Sequence, residues 1–387
     1  MHEPSTPDSQ ERRALLFLIT INGMGPKRLR KLLDHFGSAQ RALSAPASDW
    51  IQAGLPAALA NNRQQGDDAR VQRMLDWVDQ DPRHHLITQT DTDYPELIKS
   101  LPDAPAAFFA VGEARLLDEP QLAIVGSRTP TSGGLGHARA FAHHLARQGL
   151  IITSGLALGI DAAAHRGALA AQGPTIAVLG TGPDLVYPRE HARLTEEIVS
   201  AGGLLVSEWP PGTPARKEHF PRRNRLISGL SEGVLVVEAS LQSGSLITAR
   251  LAVEQGREVF AIPGSIHNPL SRGPHRLIRD GAKLVETAQD ILEELLPALG
   301  ARLNRPPRAS HGGDAKENDT ERIQETIAPL DPQHQLLLDL LGYDPRPADA
   351  LIMASGLTPA EVSSILLMLE LAGYVATLPG GLYTRTA

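Results

Sequence analysis

The densest run of chemically capable residues is a basic segment at 216–225, with the sequence Arg-Lys-Glu-His-Phe-Pro-Arg-Arg-Asn-Arg. Five lysine and arginine residues stand there against one glutamate. Cationic side chains attract phosphate groups, the Phe220 ring offers a face on which a base can stack, and Asn224 can both donate and accept hydrogen bonds. This mixture favours contact with a nucleic-acid strand over a solvated charge run. Part of the segment is expected to brace the helix predicted at 226–230 instead.

Small residues and a further arginine follow several short aliphatic runs. After residues 122–125 comes Gly126-Ser127-Arg128, which places a guanidinium where a phosphate would meet the N-terminus of the next helix. The alternative is that Arg128 pairs with a structural carboxylate. Ser154-Gly155 and Ser243-Gly244 follow later strands and offer hydroxyl and backbone N–H groups to the same ligand. These loops predict an anion-binding groove.

A catalytic interpretation finds little support. Ser154, Asp161 and His165 lie close in sequence, but no Gly-x-Ser-x-Gly elbow accompanies them. The chain has no cysteine, which excludes thiol nucleophiles, disulfides and thiolate metal sites. It also has no Walker lysine, metal-ligand cluster or paired-carboxylate motif. We therefore predict binding without chemistry: no catalytic residue, no metal and no cofactor.

The elements that must position these residues form an alternating pattern between about residues 84 and 296. Aliphatic runs without polar alternation, separated by helical patterns, indicate a parallel sheet that is covered on both faces. Ligands bind such sheets beyond the carboxyl ends of the strands, where the loops described above should lie. The predicted strands are 122–125, 150–153, 175–179, 204–206, 234–237 and 259–262, and the predicted helices are 136–148, 160–171, 190–201 and 245–255.

Two smaller regions flank this core. Helical stripes at 12–20, 26–36 and 56–78 predict an N-terminal helical domain of the SAM-like or helix-hairpin-helix-like kind. Its Gly23-Met24-Gly25-Pro26 turn and the basic residues 27–31 suit either a phosphate contact or a plain helix–helix connection. Helices at 333–341, 347–354 and 358–372, followed by a hairpin at 374–378 and 382–385, predict a winged helix. Its third helix has no Lys or Arg, which favours a structural or protein-contact role at least as much as DNA reading.

The predicted fold is thus a doubly wound parallel Rossmann-like α/β sheet flanked by a small helical N-terminal domain and a C-terminal winged-helix-like domain. The expected boundaries are 1–82 for the helical domain, 83–298 for the core, 299–329 for a flexible linker and 330–387 for the winged-helix-like domain. The linker lacks apolar periodicity, so disorder is expected there.

Net charge and predicted localisation constrain the function less strongly than the motifs do. The net charge of −7 over 387 residues argues against a nucleic-acid partner only mildly. Charge farther than about 8 Å is largely screened at physiological salt, so the local cluster matters more than the total. A polar start and the absence of any apolar run of about 18 residues predict a cytoplasmic protein without membrane contact.

The motifs, taken in order, resemble the DNA-processing protein A (DprA/Smf) family. The resemblance is carried by residues 123–128, 154–165, 175–187, 220–231, 243–249, 257–264 and 277–282. It implies a protein of natural transformation that binds incoming single-stranded DNA, protects it and loads the RecA recombinase onto it. It also implies a homodimer formed through the Rossmann-like core, and it leaves an association with single-strand-binding protein open.

The resemblance implies specific DNA-binding residues. Arg128 matches a principal phosphate contact, Lys217 and Phe220 match a Lys-x-x-Phe pair, and residues 223–225 match an Arg-Asn-Arg motif. The full predicted set is Gly126, Ser127, Arg128, Ser154, Gly155, Lys217, Phe220, Arg222, Arg223, Asn224, Arg225, Ser243 and Gly244.

Two other functions stay open on the sequence. One is an enzyme of the lysine-decarboxylase-like group that cleaves nucleoside monophosphates, although residues 243–250 lack that group's Pro-Gly-Gly-x-Gly-Thr-x-x-Glu signature. The other is a transcription regulator acting through the winged helix, which the missing positive charge on the third helix weakens.

Overall fold

The computed structural model describes residues 9–303, 331–342, 344–371 and 374–385. Its contacts divide the chain into two compact units. The first unit holds residues up to Pro130 together with His137–Glu293, and the second holds Thr131–Gly136 and Glu294–Ala387.

Helices make up most of the described chain. They are α1 (Ser9–Thr20), α2 (Pro26–Phe36), α3 (Ala39–Ser44), α4 (Ala47–Gln52), α5 (Ala57–Asn61), α6 (Asp68–Asp79), α7 (Glu96–Lys99), α8 (Ser132–Arg147), α9 (Ile160–Ala170), α10 (Ala192–Ser200), α11 (His219–Leu230), α12 (Ser245–Glu254), α13 (Arg272–Arg279), α14 (Ala288–Leu303), α15 (Pro332–Leu341), α16 (Ala348–Ser355) and α17 (Pro359–Leu371). Short 3₁₀ helices lie at Ala114–Asp118, Arg189–His191 and Pro269–Ser271.

The strands fall into a large and a small sheet. They are β1 (His84–Thr88), β2 (Ala107–Gly112), β3 (Gln121–Val125), β4 (Ile151–Ser154), β5 (Thr175–Val178), β6 (Leu204–Ser207), β7 (Gly233–Val236), β8 (Glu258–Ala261), β9 (Lys283–Leu284), β10 (Arg346–Pro347), β11 (Val375–Leu378) and β12 (Leu382–Arg385).

The large sheet has nine strands in the order β1-β2-β6-β5-β4-β3-β7-β8-β9. Strands β3 to β9 pair in parallel, while β2 pairs antiparallel with both β1 and β6. The chain builds from β3 through β6 in one direction and then returns to place β7 on the other side of β3. The order therefore reverses between β3 and β7, which is where open α/β sheets bind ligands. The predicted doubly wound parallel sheet is confirmed.

The core strands form where the sequence is apolar on both faces. All residues of β3 through β7 are buried, because helices cover the sheet on each side. The edge strand β1, its neighbour β2 and the two-residue edge strand β9 were not predicted. β1 and β2 pair antiparallel and do not follow the strand–helix alternation on which the prediction rested.

The N-terminal helices belong to the same compact unit as the large sheet. Leu16 of α1 and Trp77 of α6 pack with Phe109 of β2 in one buried cluster. Nη1 of Arg30 in α2 donates a hydrogen bond to the Leu101 carbonyl oxygen at 2.7 Å, which ties α2 to the segment between β1 and β2.

The single helix predicted at 56–78 is wrong. Two helices, α5 and α6, lie there, separated by residues 62–67. The Asp67 carboxylate caps α6 by accepting a hydrogen bond from the Arg70 backbone N–H at 2.8 Å. A Cβ at Gly66 would lie only 2.5 Å from the Phe17 ring, so the chain can turn there only with glycine.

The second unit contains the winged helix, which is confirmed. Helices α15, α16 and α17 enclose a small apolar core with Leu337, Leu351 and Leu366, beside the sheet β10-β12-β11. Helix α14 continues to Leu303, past the predicted start of the linker at 299, and most of that predicted linker, 304–329, lies outside the described residues. Among the described helices none is individually long and apolar enough to span a membrane; α16 and residues Pro359–Glu370 meet that test only as a pair bent by 116°.

Candidate nucleic-acid interface

A groove of about 610 Å³ lies at the carboxyl ends of β3 and β7, where the strand order reverses. We call it the sheet-edge groove. The loop after β3 contributes Gly126, Ser127 and Arg128 to its wall, and the loop after β7 contributes Ser243 and Gly244. The two loops are joined because the Ser127 N–H donates to the Glu238 carbonyl oxygen at 2.6 Å. Side chains that the sequence separates by more than a hundred residues therefore share one wall.

The N-terminus of α12 opens into the sheet-edge groove. Gly244 occupies the N-cap position, and the Ser243 hydroxyl oxygen accepts a hydrogen bond from the Ser245 N–H at 3.3 Å. The Ser243 and Ser245 hydroxyl oxygens lie 2.5 Å apart beside it. The start of a helix carries partial positive charge, so this end of the groove suits a phosphate oxygen.

Phe220 in the first turn of α11 forms the aromatic part of the groove. Its ring centroid lies 5.3 Å from that of Tyr187, and the Arg128 guanidinium carbon lies 6.0 Å from it. The ring packs closely over Gly180, where an added Cβ would be 2.9 Å from the ring. Glycine at 180 thus permits the ring position. A small pocket of about 70 Å³ between Phe220, Tyr187 and Arg128 leaves a face for a planar group.

Two cations of the groove stay available for a ligand. Arg128 and Lys217 are exposed, and neither makes a hydrogen bond or ion pair to another side chain in the described part of the chain. Exposed, unpaired cations keep their charge at low cost and can turn toward a phosphate. The alternative that Arg128 pairs with a structural carboxylate is therefore wrong.

Arg223 lines the floor of the groove but is a structural residue. It is only 3% exposed, and its Nη1 donates to the carbonyl oxygens of Gly155 and Val178. An added Cβ at Gly155 would lie 2.5 Å from this guanidinium, so glycine is required there. Burial lowers the pKa of Arg223 to about 10, while the nearby Asp161 opposes that shift. The prediction of Arg223 as a direct DNA contact needs correction, because its donors are already engaged with the backbone.

Ser154, Asp161 and His165 hold the loop after β4 and do not form a triad. The buried Ser154 hydroxyl donates to the Ile124 carbonyl oxygen at 2.6 Å, while Nδ1 of His165 bonds to the Thr175 hydroxyl at 2.8 Å. The Asp161 carboxylate accepts from the N–H groups of Gly155 and Ala157, and burial raises its pKa. Ser154 is therefore a correction to the predicted site, since its hydroxyl is buried and used.

Arg222 and Arg225 point away from the sheet-edge groove toward Glu208. Nη2 of each lies 2.6 Å from a carboxylate oxygen of Glu208, and Nε of Arg225 lies 3.3 Å from Asp103. Arg225 is buried and Arg222 is exposed. Both line a separate groove beside α2, so the structure does not bring them into the sheet-edge groove, and their contact with DNA stays a prediction.

Nine of the thirteen predicted residues line the sheet-edge groove: Gly126, Ser127, Arg128, Lys217, Phe220, Arg223, Asn224, Ser243 and Gly244. Gly155 lines only the small pocket beside Phe220. Sequence reasoning missed Tyr187, Ile227, Ser240, Ser245, Ile247 and Thr248 as lining residues. The helical spacing of Phe220, Asn224 and Ile227 was a usable signal for Ile227.

The comparison with protein families decides the identity. Residues 85–296 match the family described as DNA recombination-mediator protein A, and residues 323–381 match the DprA winged helix domain. The chain belongs to the DNA recombination-mediator protein A family. The family match spans the whole large sheet apart from the first residue of β1, including both loops that meet at the sheet-edge groove.

Relatives support this assignment. The chain is 46% identical over 315 residues to Protein Smf of Escherichia coli K12, covering 81% of this chain and 80% of that protein. It is 40% identical to DNA processing protein DprA of Streptococcus pneumoniae, covering 72% of this chain and 96% of that protein.

Solved structures of the family have the same architecture. The structure of DNA processing protein A from Streptococcus pneumoniae matches with a TM-score of 0.65 and 39% identity, over 73% of this chain and 97% of that one. DNA processing protein A from Helicobacter pylori, described for its single-stranded DNA binding mode, matches with a TM-score of 0.50 and 32% identity, over 56% of this chain and 97% of that one.

Proposed function

We propose that this chain binds single-stranded DNA in the sheet-edge groove and presents it to the RecA recombinase during natural transformation. The observation that carries the proposal is the arrangement of two free cations, Arg128 and Lys217, around the Phe220 ring beside the N-terminus of α12. Phosphates and an unstacked base would both find a partner within one groove. The single-stranded DNA binding described for the Helicobacter pylori relative agrees with this proposal.

The proposed preference for a single strand follows from Phe220. A base can stack on the ring only when it has left its own helical stack, which a duplex resists. The cations and backbone N–H groups contact phosphates, which are the same in every nucleotide, so the binding should depend little on sequence.

The proposed site is tested with Arg128→Ala/Lys217→Ala. The variant loses two cations, so the slope of log affinity against log salt should fall by about 1.4, and affinity by about 25-fold at roughly 0.1 M salt. The matched control is Arg166→Ala/Arg193→Ala, which removes the same charge from exposed positions on α9 and α10. Fluorescence anisotropy with labelled single-stranded and duplex DNA measures both quantities. An unchanged slope in the first variant, or an equal loss in the control, would refute the site.

The role toward RecA is a further part of the proposal. Family membership as a recombination mediator supports it. We expect wild-type protein to speed the assembly of RecA on strands covered by single-strand-binding protein, followed through the ATPase activity of RecA. The Arg128→Ala/Lys217→Ala variant should lose this stimulation, because a loader must hold the strand. Stimulation that survives the loss of strand binding would contradict a loading mechanism that works through the groove.

We also propose that the chain forms a homodimer through the Rossmann-like core and acts without catalysis. Light scattering coupled to gel filtration measures the assembly, and a monomer mass at all concentrations would contradict the dimer. The separate hydrogen bonds of Ser154, Asp161 and His165 speak against a hydrolytic triad. Release of free base from nucleoside monophosphates by purified protein would overturn the non-catalytic assignment.

A further inference from the structure

A second groove, of about 660 Å³, lies between the start of α2 and the helices α11 and α12. We call it the α2 groove. Five cationic residues line it against two carboxylates, Asp103 and Glu218. The cations are Lys27, Arg28, Arg222, Arg225 and Arg250. Arg222 and Arg225 are ion-paired with Glu208, and Arg250 is ion-paired with Glu254. Lys27 and Arg28 are the lining cations without an ion pair in the described part of the chain, and they point to an anionic occupant.

The start of α2 lies at this groove, and the partial positive charge of the helix N-terminus adds to that of the side chains there. Gly25 is the N-cap, no side chain caps the helix, and Pro26 occupies the first turn. Lys27 and Arg28 are exposed beside it. In the described part of the chain Lys27 has no hydrogen-bond or ion-pair partner, while Nη1 of Arg28 donates to the Gly23 carbonyl oxygen at 2.6 Å. The sequence left open whether this turn contacts a phosphate or only joins two helices.

Arg225 is an independent sign of a missing ligand. Its side chain is 6% exposed, yet its Nη1 has no hydrogen-bond partner among the described residues, although its other nitrogens form ion pairs with Glu208 and Asp103. A buried N–H of a charged group left without an acceptor costs free energy. Nη1 is closed to solvent, so an oxygen of a ligand in the α2 groove would supply that acceptor after a small movement of the Arg225 side chain.

The α2 groove adjoins the sheet-edge groove. Pro221 of α11 and Ile247 of α12 line both of them. A chain molecule that crosses these two residues passes from one groove to the other. This adjacency favours one long anionic polymer over a separate acidic protein segment.

We propose that the α2 groove holds the phosphodiester backbone of the same DNA strand after it leaves the sheet-edge groove. The inference rests on the proposed function and extends it: the N-terminal helical region becomes part of the DNA path. Short strands fill the sheet-edge groove alone, and longer strands reach Lys27 and Arg28 as well. Affinity should therefore rise with strand length more steeply than the larger number of equivalent binding positions on a longer strand alone would produce.

The test uses the full chain with Lys27→Ala/Arg28→Ala. For a single strand of about 20 nucleotides, the loss of two phosphate contacts should lower affinity about 25-fold at roughly 0.1 M salt and reduce the salt slope by about 1.4. For a strand of about 5 nucleotides, close to the smallest site sizes of single-strand binders, affinity should stay at the wild-type value. Lys31→Ala/Arg41→Ala removes equal charge from exposed positions outside the groove and should change neither affinity.

The outcomes separate the two proposals. If wild-type protein binds both strands and Lys27→Ala/Arg28→Ala loses no affinity for the long strand, the proposal for the α2 groove is overturned. The proposed function of the sheet-edge groove then stands. An equal loss on short and long strands, or in the control, would also overturn it, because a general charge effect would then explain the result. Binding of poly-glutamate that is lost in the variant, with unchanged DNA binding, would assign the groove to an acidic protein segment. Failure of wild-type protein to bind any single strand would instead overturn the proposed function, and the inference with it.

Discussion

Replacing Arg223 by methionine should damage the fold, whereas the same change at Arg128 should damage only DNA binding. Both arginines line one groove, yet Arg223 is 3% exposed and Arg128 is exposed. Methionine keeps much of the aliphatic stem of Arg223 but removes every donor. The carbonyl oxygens of Gly155 and Val178 then lose their partner inside the protein.

The expected loss in the free energy of unfolding of Arg223→Met follows from the buried groups that lose their partner. Each buried acceptor without a donor costs about 1–3 kcal/mol, and removal of one member of a buried charged pair costs about 3–5 kcal/mol. Asp161 keeps two backbone N–H donors after the change, which favours the lower end. We expect Arg223→Met to lower the free energy of unfolding by about 3 kcal/mol, and Arg128→Met, at an exposed site, by less than about 0.5 kcal/mol.

Urea unfolding followed by tryptophan fluorescence measures this difference. All three tryptophans, Trp50, Trp77 and Trp209, lie in the first compact unit, so the signal reports the part of the chain that contains the groove. DNA affinity is measured on the same preparations under conditions where both variants are folded. If Arg223→Met unfolds at the same urea concentration as the wild-type protein, the structural role of Arg223 is refuted. If Arg128→Met binds DNA with wild-type affinity, the role of Arg128 as a ligand contact is refuted.

Three further predictions concern the groove and the sheet beneath it. Phe220→Ala should weaken single-strand binding about 5- to 150-fold, as expected for loss of about 1–3 kcal/mol from one stacked base, and Phe220→Trp should retain it in anisotropy titrations. Gly180→Ala forces the ring to move, since the new methyl would lie 2.9 Å from it; it should weaken binding in the wild-type background but not in Phe220→Ala, which a double-mutant cycle tests. Burial lowers the pKa of His165 to about 3, so the folded protein cannot take up the proton that the unfolded chain binds near pH 6.5. Stability is therefore complete above about pH 6.5 and falls by about 1.4 kcal/mol per unit as the pH drops toward 3. His165→Asn, which can still donate to Thr175, should flatten this fall in urea unfolding between about pH 7 and 5, and the exposed His144→Asn should not.

The parallel core was predictable because each strand is apolar on both faces and has helical sequence on either side. The edge strand β1 lacks that signature, and β2 is apolar but is separated from β3 only by a short 3₁₀ helix. β1 begins with His84 and His85, which are only half-buried, and it pairs antiparallel with β2. An antiparallel edge needs no crossover helix, so the alternation that revealed the core gave no signal for these two strands.

The basic segment was recognisable in the sequence, but the roles of its residues were not separable while its helix was predicted to start at 226. In the structure α11 begins at His219, and Pro221 lies in its first turn, where proline is tolerated. At about 100° per residue, Phe220, Asn224 and Ile227 fall on one face, which is the face in the sheet-edge groove. Extending the helix back by about two turns, through Pro221, would have separated most of the segment into the two faces of the helix.

The division of the basic residues into ligand contacts and structural residues predicts how strongly DNA affinity depends on salt concentration. If Arg128 and all five cations of residues 216–225 contacted phosphates, six charges would give a slope of about 4. Three of these cations already have partners within the protein. Arg223 donates to backbone carbonyl oxygens, and Arg222 and Arg225 form ion pairs with Glu208. Arg216 does not line the sheet-edge groove, which leaves Arg128 and Lys217. A strand of about 5 nucleotides should therefore show a slope near 1.4, measured by anisotropy between about 50 and 200 mM salt. A slope near 4 for that short strand would mean that the ion pairs with Glu208 open on binding, and the assignment of these arginines to the fold would be wrong.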